Sequence, residues 1–223
     1  MDVKALVQRF GKPDIFLTMT CNPNWLEIKQ ELQLGEEAQN QPDLIAQVFR
    51  AKLEELKIEL FKKQVFGVVT AYVYVIENQK RGLPHAHFLI ILKKDWKIIA
   101  PKTLDDIVSA ELPNNDENPH LYSAVVKHMM HGPCGALNLE NICMKKTGRC
   151  KNHYPRDFCK QTIVGNDLFP KYRRWDDGTS IKVRGKDLDN RWVIPYNANL
   201  LAKFDCHINV EICSTIKVVK YLY

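Results

Sequence analysis

Between residues 42 and 63 the apolar side chains fall at 44, 45, 48, 49, 53, 56, 60 and 61. That 3.6-residue period predicts an amphipathic helix, with Pro42 suited to its first turn. Before it, a short helix over 2–11 is stopped by Gly11 and Pro13, and Asp14 to Thr20 reads as a strand. Cys21-Asn22-Pro23-Asn24-Trp25 breaks that strand, with Asn24 as the cap of a short helix through Leu32. Val65 to Ile76 and His85 to Leu92 read as two further strands, and a hairpin through the polar run between them is the simplest connection. A short helix over 104–110, a polar loop over 111–120 and a helix over 122–130 follow. Phe204 to Ile212 alternates as a strand, and Thr215 to Tyr223 starts a helix.

This order predicts an α+β fold: a central antiparallel sheet with helices on one side. Residues 128–195 lack periodicity but are rich in Cys, His, Gly and Asn, so they read as an insertion. The main body is then 1–127 with 196–223. A chain that is 45% hydrophobic and 26% charged has globular proportions, which excludes disorder, collagen and coiled coil. No apolar run approaches the roughly 18–20 residues that span a bilayer, and no apolar segment near Met1 directs secretion, so no membrane partner is expected. Seven cysteines argue for reduced thiols or a metal site over a disulfide framework. The net charge of +6 suits a nucleic-acid ligand without establishing one.

Chemistry concentrates in Gly82-Leu83-Pro84-His85-Ala86-His87. On a strand, His85 and His87 share a face and make a pair of metal ligands. A hairpin centred on Arg81 sets Glu77 opposite His85, with Cβ atoms about 5 Å apart. Two imidazoles and a carboxylate suit a divalent ion, Mg²⁺ or Mn²⁺ as readily as zinc, and leave positions open for substrate. Glu211, on the polar face of the alternating run His207-Ile208-Asn209-Val210-Glu211, rivals Glu77 as third ligand. His131, Cys134, Cys143 and Cys150 have spacings compatible with a structural Zn²⁺, with His153 or Cys159 as substitutes. Cys21, Cys206 and Cys213 read as buried small hydrophobes. Thr18, Thr20, Asn22 and Asn209 are candidates for holding a DNA backbone or orienting the site. Lys171, Arg173, Arg174 and Trp175 interleave basic and aromatic groups, as single-strand binders do.

Four stretches together resemble a known family. Phe16 to Trp25 looks like the first motif of the Helitron replication-initiator domain, within the Helitron helicase-like N-terminal family. Arg81 to His87 is similar to its histidine-hydrophobe-histidine (HUH) motif, with alanine in the middle. His207 to Glu211, followed by Lys220-Tyr221-Leu222-Tyr223, looks like the run into its tyrosine motif.

The resemblance implies an HUH nuclease-like fold and a rolling-circle endonuclease and strand transferase. Such an enzyme nicks single-stranded DNA at transposon ends through a tyrosine and keeps a 5′-phosphotyrosine. Tyr221 matches the nucleophile, His85, His87 and Glu77 the ligands of a catalytic Mg²⁺ or Mn²⁺, and the setting would be nuclear. A second family tyrosine would fall beyond residue 223. The family often carries a helicase in the same polypeptide, but no Gly-x4-Gly-Lys-Ser/Thr loop occurs here, so this chain is not expected to use ATP. Two other readings are a non-catalytic zinc-containing module that grips single-stranded DNA, and a metallohydrolase that cuts with activated water.

Overall fold

The computed structural model describes residues 3–78, 82–97, 101–144 and 148–222, without the side chains of 3, 4, 101 and 220–222. In chain order its elements are α1 (Val3–Phe10), β1 (Ile15–Thr20), α2 (Leu26–Lys29), α3 (Pro42–Lys57), β2 (Val69–Asn78) and β3 (Pro84–Leu92). Then come α4 (Pro101–Ile107), α5 (Pro119–His128), β4 (Ile181–Val183), β5 (Lys186–Leu188), α6 (Ala198–Phe204), β6 (Ile208–Ile212) and a 3₁₀ segment, Ile216–Leu222. Four strands form an antiparallel sheet in the order β2-β3-β1-β6, while β4 and β5 pair apart from it. The α+β architecture expected from the sequence is therefore present.

Alternation along the strands sorts their side chains onto two faces. One face carries Ile15, Leu17 and Met19 of β1, Ala86, Phe88 and Ile90 of β3, and Ile208 and Val210 of β6. Against it packs the buried stripe of α3, Ile45, Phe49, Leu53 and Leu56, which continues to Leu60 in a π-helical turn, Ile58–Lys62. Each such side chain contributes about 1.5–3 kcal/mol by leaving water. The opposite face is covered only in part. There Phe16, Leu89, Cys213 and Val218 form a smaller core, with Leu168 and Phe169 packed against it. A third cluster, away from the sheet, joins Cys134, Cys143, Cys150, Tyr154, Leu188 and Trp192.

Several element boundaries differ from the sequence expectation for identifiable reasons. β2 begins at Val69, because Gly67 turns the chain at φ 104° and the Trp96 ring sits 2.5 Å from where a Cβ would project. The cap position of α2 is Trp25, not Asn24, and α2 is only one turn long. The alternation of Phe204, Cys206 and Ile208 mimics a longer strand, but Asn197 caps a helix there by accepting from Leu200 N–H. That helix, α6, ends at Asp205 in a left-handed conformation (φ 40°), so β6 starts only at Ile208. The segment after Thr215 is 3₁₀ over its described part, not α. Arg81, the expected hairpin centre, lies outside the described residues. Among them, no helix is long and apolar enough to cross a membrane.

Candidate functional site

Strand register assembles the site. β2 pairs with β3 so that Glu77 faces His85, as the hairpin reading requires. β1 pairs with the other edge of β3, with Thr20 opposite His85 and Thr18 opposite His87. β6 flanks β1 with Asn209 opposite Thr18, and Thr20 N–H donates to the His207 carbonyl at 2.9 Å. Two adjacent rungs on one face therefore run Glu77, His85, Thr20, His207 and Val75, His87, Thr18, Asn209.

Both imidazoles are held from behind. Thr20 Oγ1 lies 2.8 Å from His85 Nδ1, and Thr18 Oγ1 lies 2.9 Å from His87 Nδ1. The rings stack in parallel, 2° apart with centroids at 6.1 Å, and Phe16 stacks on His87 from the other side. His85 is only 7% exposed, and its Nε2 has no hydrogen-bond partner. Burial, with His87 and His207 nearby, holds its pKa below the ordinary histidine value, which favours the neutral ring. When Nδ1 donates to threonine, the Nε2 lone pair is left to the site, the arrangement that outer partners impose on metal-bound histidines. A buried nitrogen without a partner costs free energy that a bound cation would recover. The two rings and Glu77 do not converge as a ligand set in this geometry, since the group of described residues whose ligand atoms lie within 4.8 Å of one another is His131, Cys134, Cys143 and Cys150.

Of the two carboxylates considered as third ligand, Glu77 touches the pair. Its Oε1 lies 2.8 Å from His87 Nε2, with the side chain 66% exposed. Glu211 sits opposite Phe16, a rung further along and two strands from the histidines. Its Oε2 has no partner, and burial raises its pKa to about 7 against hydrogen bonding from Tyr172. A proton held more tightly by the folded state makes this group's stability contribution complete below the ordinary value of 4.5 and lost as pH rises through about 7. Glu211→Gln should remove that dependence and leave the protein more stable by on the order of 3 kcal/mol above pH 7. Urea denaturation at pH 5 and pH 8 measures the difference.

The segment that carries Tyr221 is led onto the same face. Lys12 Nζ donates to the carbonyls of Cys213 and Ser214, and Ser214 N–H donates to the Leu168 carbonyl. Val218 then buries itself against Phe16 and Leu89, neighbours of the histidine rungs. The Tyr221 side chain and Tyr223 lie outside what the structure describes.

His131, Cys134, Cys143 and Cys150 converge with all ligand atoms within 4.8 Å of one another, the four residues selected from spacing. His131 donates from Nδ1 to the Gly132 carbonyl at 2.9 Å, which leaves Nε2 facing Cys150 Sγ at 3.7 Å. Burial pushes the Cys134 thiol up to about 12, so its thiolate needs a cation beside it. One imidazole and three sulfurs could hold a metal ion, and the set suits tetrahedral zinc. Neither substitute joins the four: Cys159 Sγ donates to the Gln161 carbonyl, and His153, whose N–H donates to the Cys150 carbonyl, is not among them. Cys21, Cys206 and Cys213 are buried, as expected.

The residues considered for DNA contact divide. Arg174 is 3% exposed, and its Nη1 donates to the carbonyls of Ala110, Asn190 and Val193, so it is an internal clamp and not a surface cation. Arg173 pairs with Glu111, and its guanidinium covers the Trp175 ring. Trp175 is 55% exposed and Lys171 is also exposed. Asn209 donates to the Pro195 carbonyl. Asn22 donates to the Asp205 carbonyl, and Trp25 Nε1 to that of Phe204. These last two bonds tie the turn after β1 to the end of α6 and so set where β6 begins. Sequence reasoning missed this role, whose signal was two side-chain donors in one turn. His207, read from the sequence as part of a polar strand face near the scissile phosphate or behind the metal ligands, has its Nδ1 2.9 Å from the His128 carbonyl.

Residues 1–90 match the family model described as "Helitron helicase-like domain at N-terminus". The match covers β1 and the His85-Ala86-His87 run, and it supports the resemblance over that part of the chain, that of a Helitron-related protein. No curated protein matches the chain.

Proposed function

We propose that this protein is a metal-dependent single-stranded DNA endonuclease and strand transferase of a Helitron-type element. It would act in the nucleus on transposon ends, with a helicase supplied in the same polypeptide. The observation that carries the reading is the buried, unpartnered His85 Nε2 on the sheet face against which the Tyr221 segment packs. In the reaction, the Tyr221 oxygen attacks phosphorus and loses its proton. The bond to the 3′ oxygen breaks, and that oxygen takes up a proton to leave as a 3′-OH. The 5′ phosphate stays on the tyrosine, so the phosphodiester energy is kept for joining. An ion at His85 and His87, Mg²⁺ or Mn²⁺, would polarise the non-bridging phosphate oxygens. Thr18 and Thr20 fix the rings, while Lys171 and Trp175 offer charge and a stacking surface to the strand.

A labelled single-stranded oligonucleotide tests this. Cleavage should require Mg²⁺ or Mn²⁺ and stop in EDTA, and binding should weaken steeply with salt as phosphate contacts are lost. Binding without cleavage under every metal condition would favour the alternative of a DNA-gripping module.

A further inference from the structure

Away from the histidine rungs, the chain folds back on itself where residues 158–160 meet 173–175. Cys159 and Arg174 exchange both backbone hydrogen bonds, at 3.0 and 2.8 Å, as an antiparallel bridge. That register sets Phe158 opposite Trp175 and Lys160 opposite Arg173, and alternation turns these four side chains to one face. Arg174 points the other way, into its cage of three carbonyls. We propose that this face is a nucleobase subsite, in which one base of the single strand stacks on Trp175 and Phe158 and is read by Asp176 and Asp177. The inference rests on the reading that the protein binds single-stranded DNA.

Space, surface and charge each point to a base. A cavity of about 540 Å³ opens here, and its walls include Phe158, Lys160, Trp175, Asp176 and Asp177. Ligand cavities run from about 300 to 1,000 Å³, so a base and its sugar have room. The aromatic surface is both open and fixed. Trp175 is 55% exposed, yet its Nε1 donates to the Lys160 carbonyl at 3.1 Å and its backbone N–H to Glu111 at 2.8 Å. The Arg173 guanidinium lies 5.3 Å from the Trp175 ring centre, and that of Arg191 lies 4.7 Å from the centre of Phe158. Rings held in this way lose little freedom when a base stacks on them. The charge decides between base and phosphate. Two carboxylates repel a phosphate but accept from the exocyclic amino group of a base, as on cytosine. Thr179 N–H donates to Asp177 Oδ1 at 2.9 Å, which holds that side chain in place. Lys160, exposed on the same face, is left for the adjoining phosphate. The subsite therefore favours a base with an amino group over thymine or uracil.

Fluorescence anisotropy with labelled oligo-dC and oligo-dU of equal length, bound by the full chain with zinc supplied, tests this. Cytosine offers an amino group where uracil has a carbonyl, so oligo-dC should bind about tenfold tighter. Asp176→Asn combined with Asp177→Asn should bring the two within twofold. Trp175→Ala should weaken oligo-dC about tenfold with its salt dependence unchanged, and Trp175→Phe should recover most of that loss. The comparison of oligo-dC with oligo-dU on the unaltered protein decides the matter even where a variant fails to fold. Equal affinity for the two, or Trp175→Ala within twofold of the unaltered protein, would overturn the subsite and leave DNA binding in place. Failure of the unaltered protein to bind either oligonucleotide at low salt would instead overturn the proposed function, and this inference with it.

Discussion

Removing metal from the Cys/His cluster should unfold the region around residues 131–154 while the four-stranded sheet survives. His131, Cys134, Cys143 and Cys150 lie in one of the smaller cores, with Tyr154, Leu188 and Trp192 buried beside the cysteines and Met130, Met144, Val183 and Ile194 partly buried against them. So little apolar surface cannot offset the entropy of ordering the loops around it. Structural zinc contributes about 10–16 kcal/mol in small zinc-finger peptides, far more than such a cluster gains from burial. Cys150→Ser should therefore lower zinc content from one ion per chain to nearly none and open this stretch to protease. Elemental analysis with limited proteolysis reads both. The sheet, whose core is formed by β1, β3, β6 and α3, should keep its circular dichroism.

The second large effect concerns the histidine rungs. His87→Ala should lower single-strand cleavage by about a thousandfold, since loss of several kcal/mol of charge stabilisation in the transition state translates to that order. Thr18→Val should cost less, about 10–100-fold, because it removes only the group that fixes the ring. Single-turnover rates at saturating DNA give the comparison. An equal loss for the two variants would mean that His87 acts only as a packing residue on Phe16.

The pairing of Glu77 with His85 was legible because hairpin register follows from loop length and side-chain alternation, both local properties. The four-residue Cys/His cluster was legible because only certain residue types ligate zinc, so few combinations compete. Arg174 was misjudged for a physical reason: a basic-aromatic run has the same composition on the surface or folded inward, and only the three carbonyls around its guanidinium show which. α6 was hidden because Phe204, Cys206 and Ile208 alternate like a strand, while its start depends on one capping asparagine. The placement of His207 beside Thr20 depends on the pairing of β1 with β6, strands far apart in the chain, which no local pattern encodes.

Transfer of label from DNA to the polypeptide bears most directly on the central claim. A single-stranded oligonucleotide labelled on the 3′ side of the cut, incubated with protein and Mn²⁺ and run on a denaturing gel, should give a band that migrates with the protein. The band should be absent with Tyr221→Phe. Cleavage that proceeds with no such adduct, or an adduct that persists in Tyr221→Phe, would contradict the account.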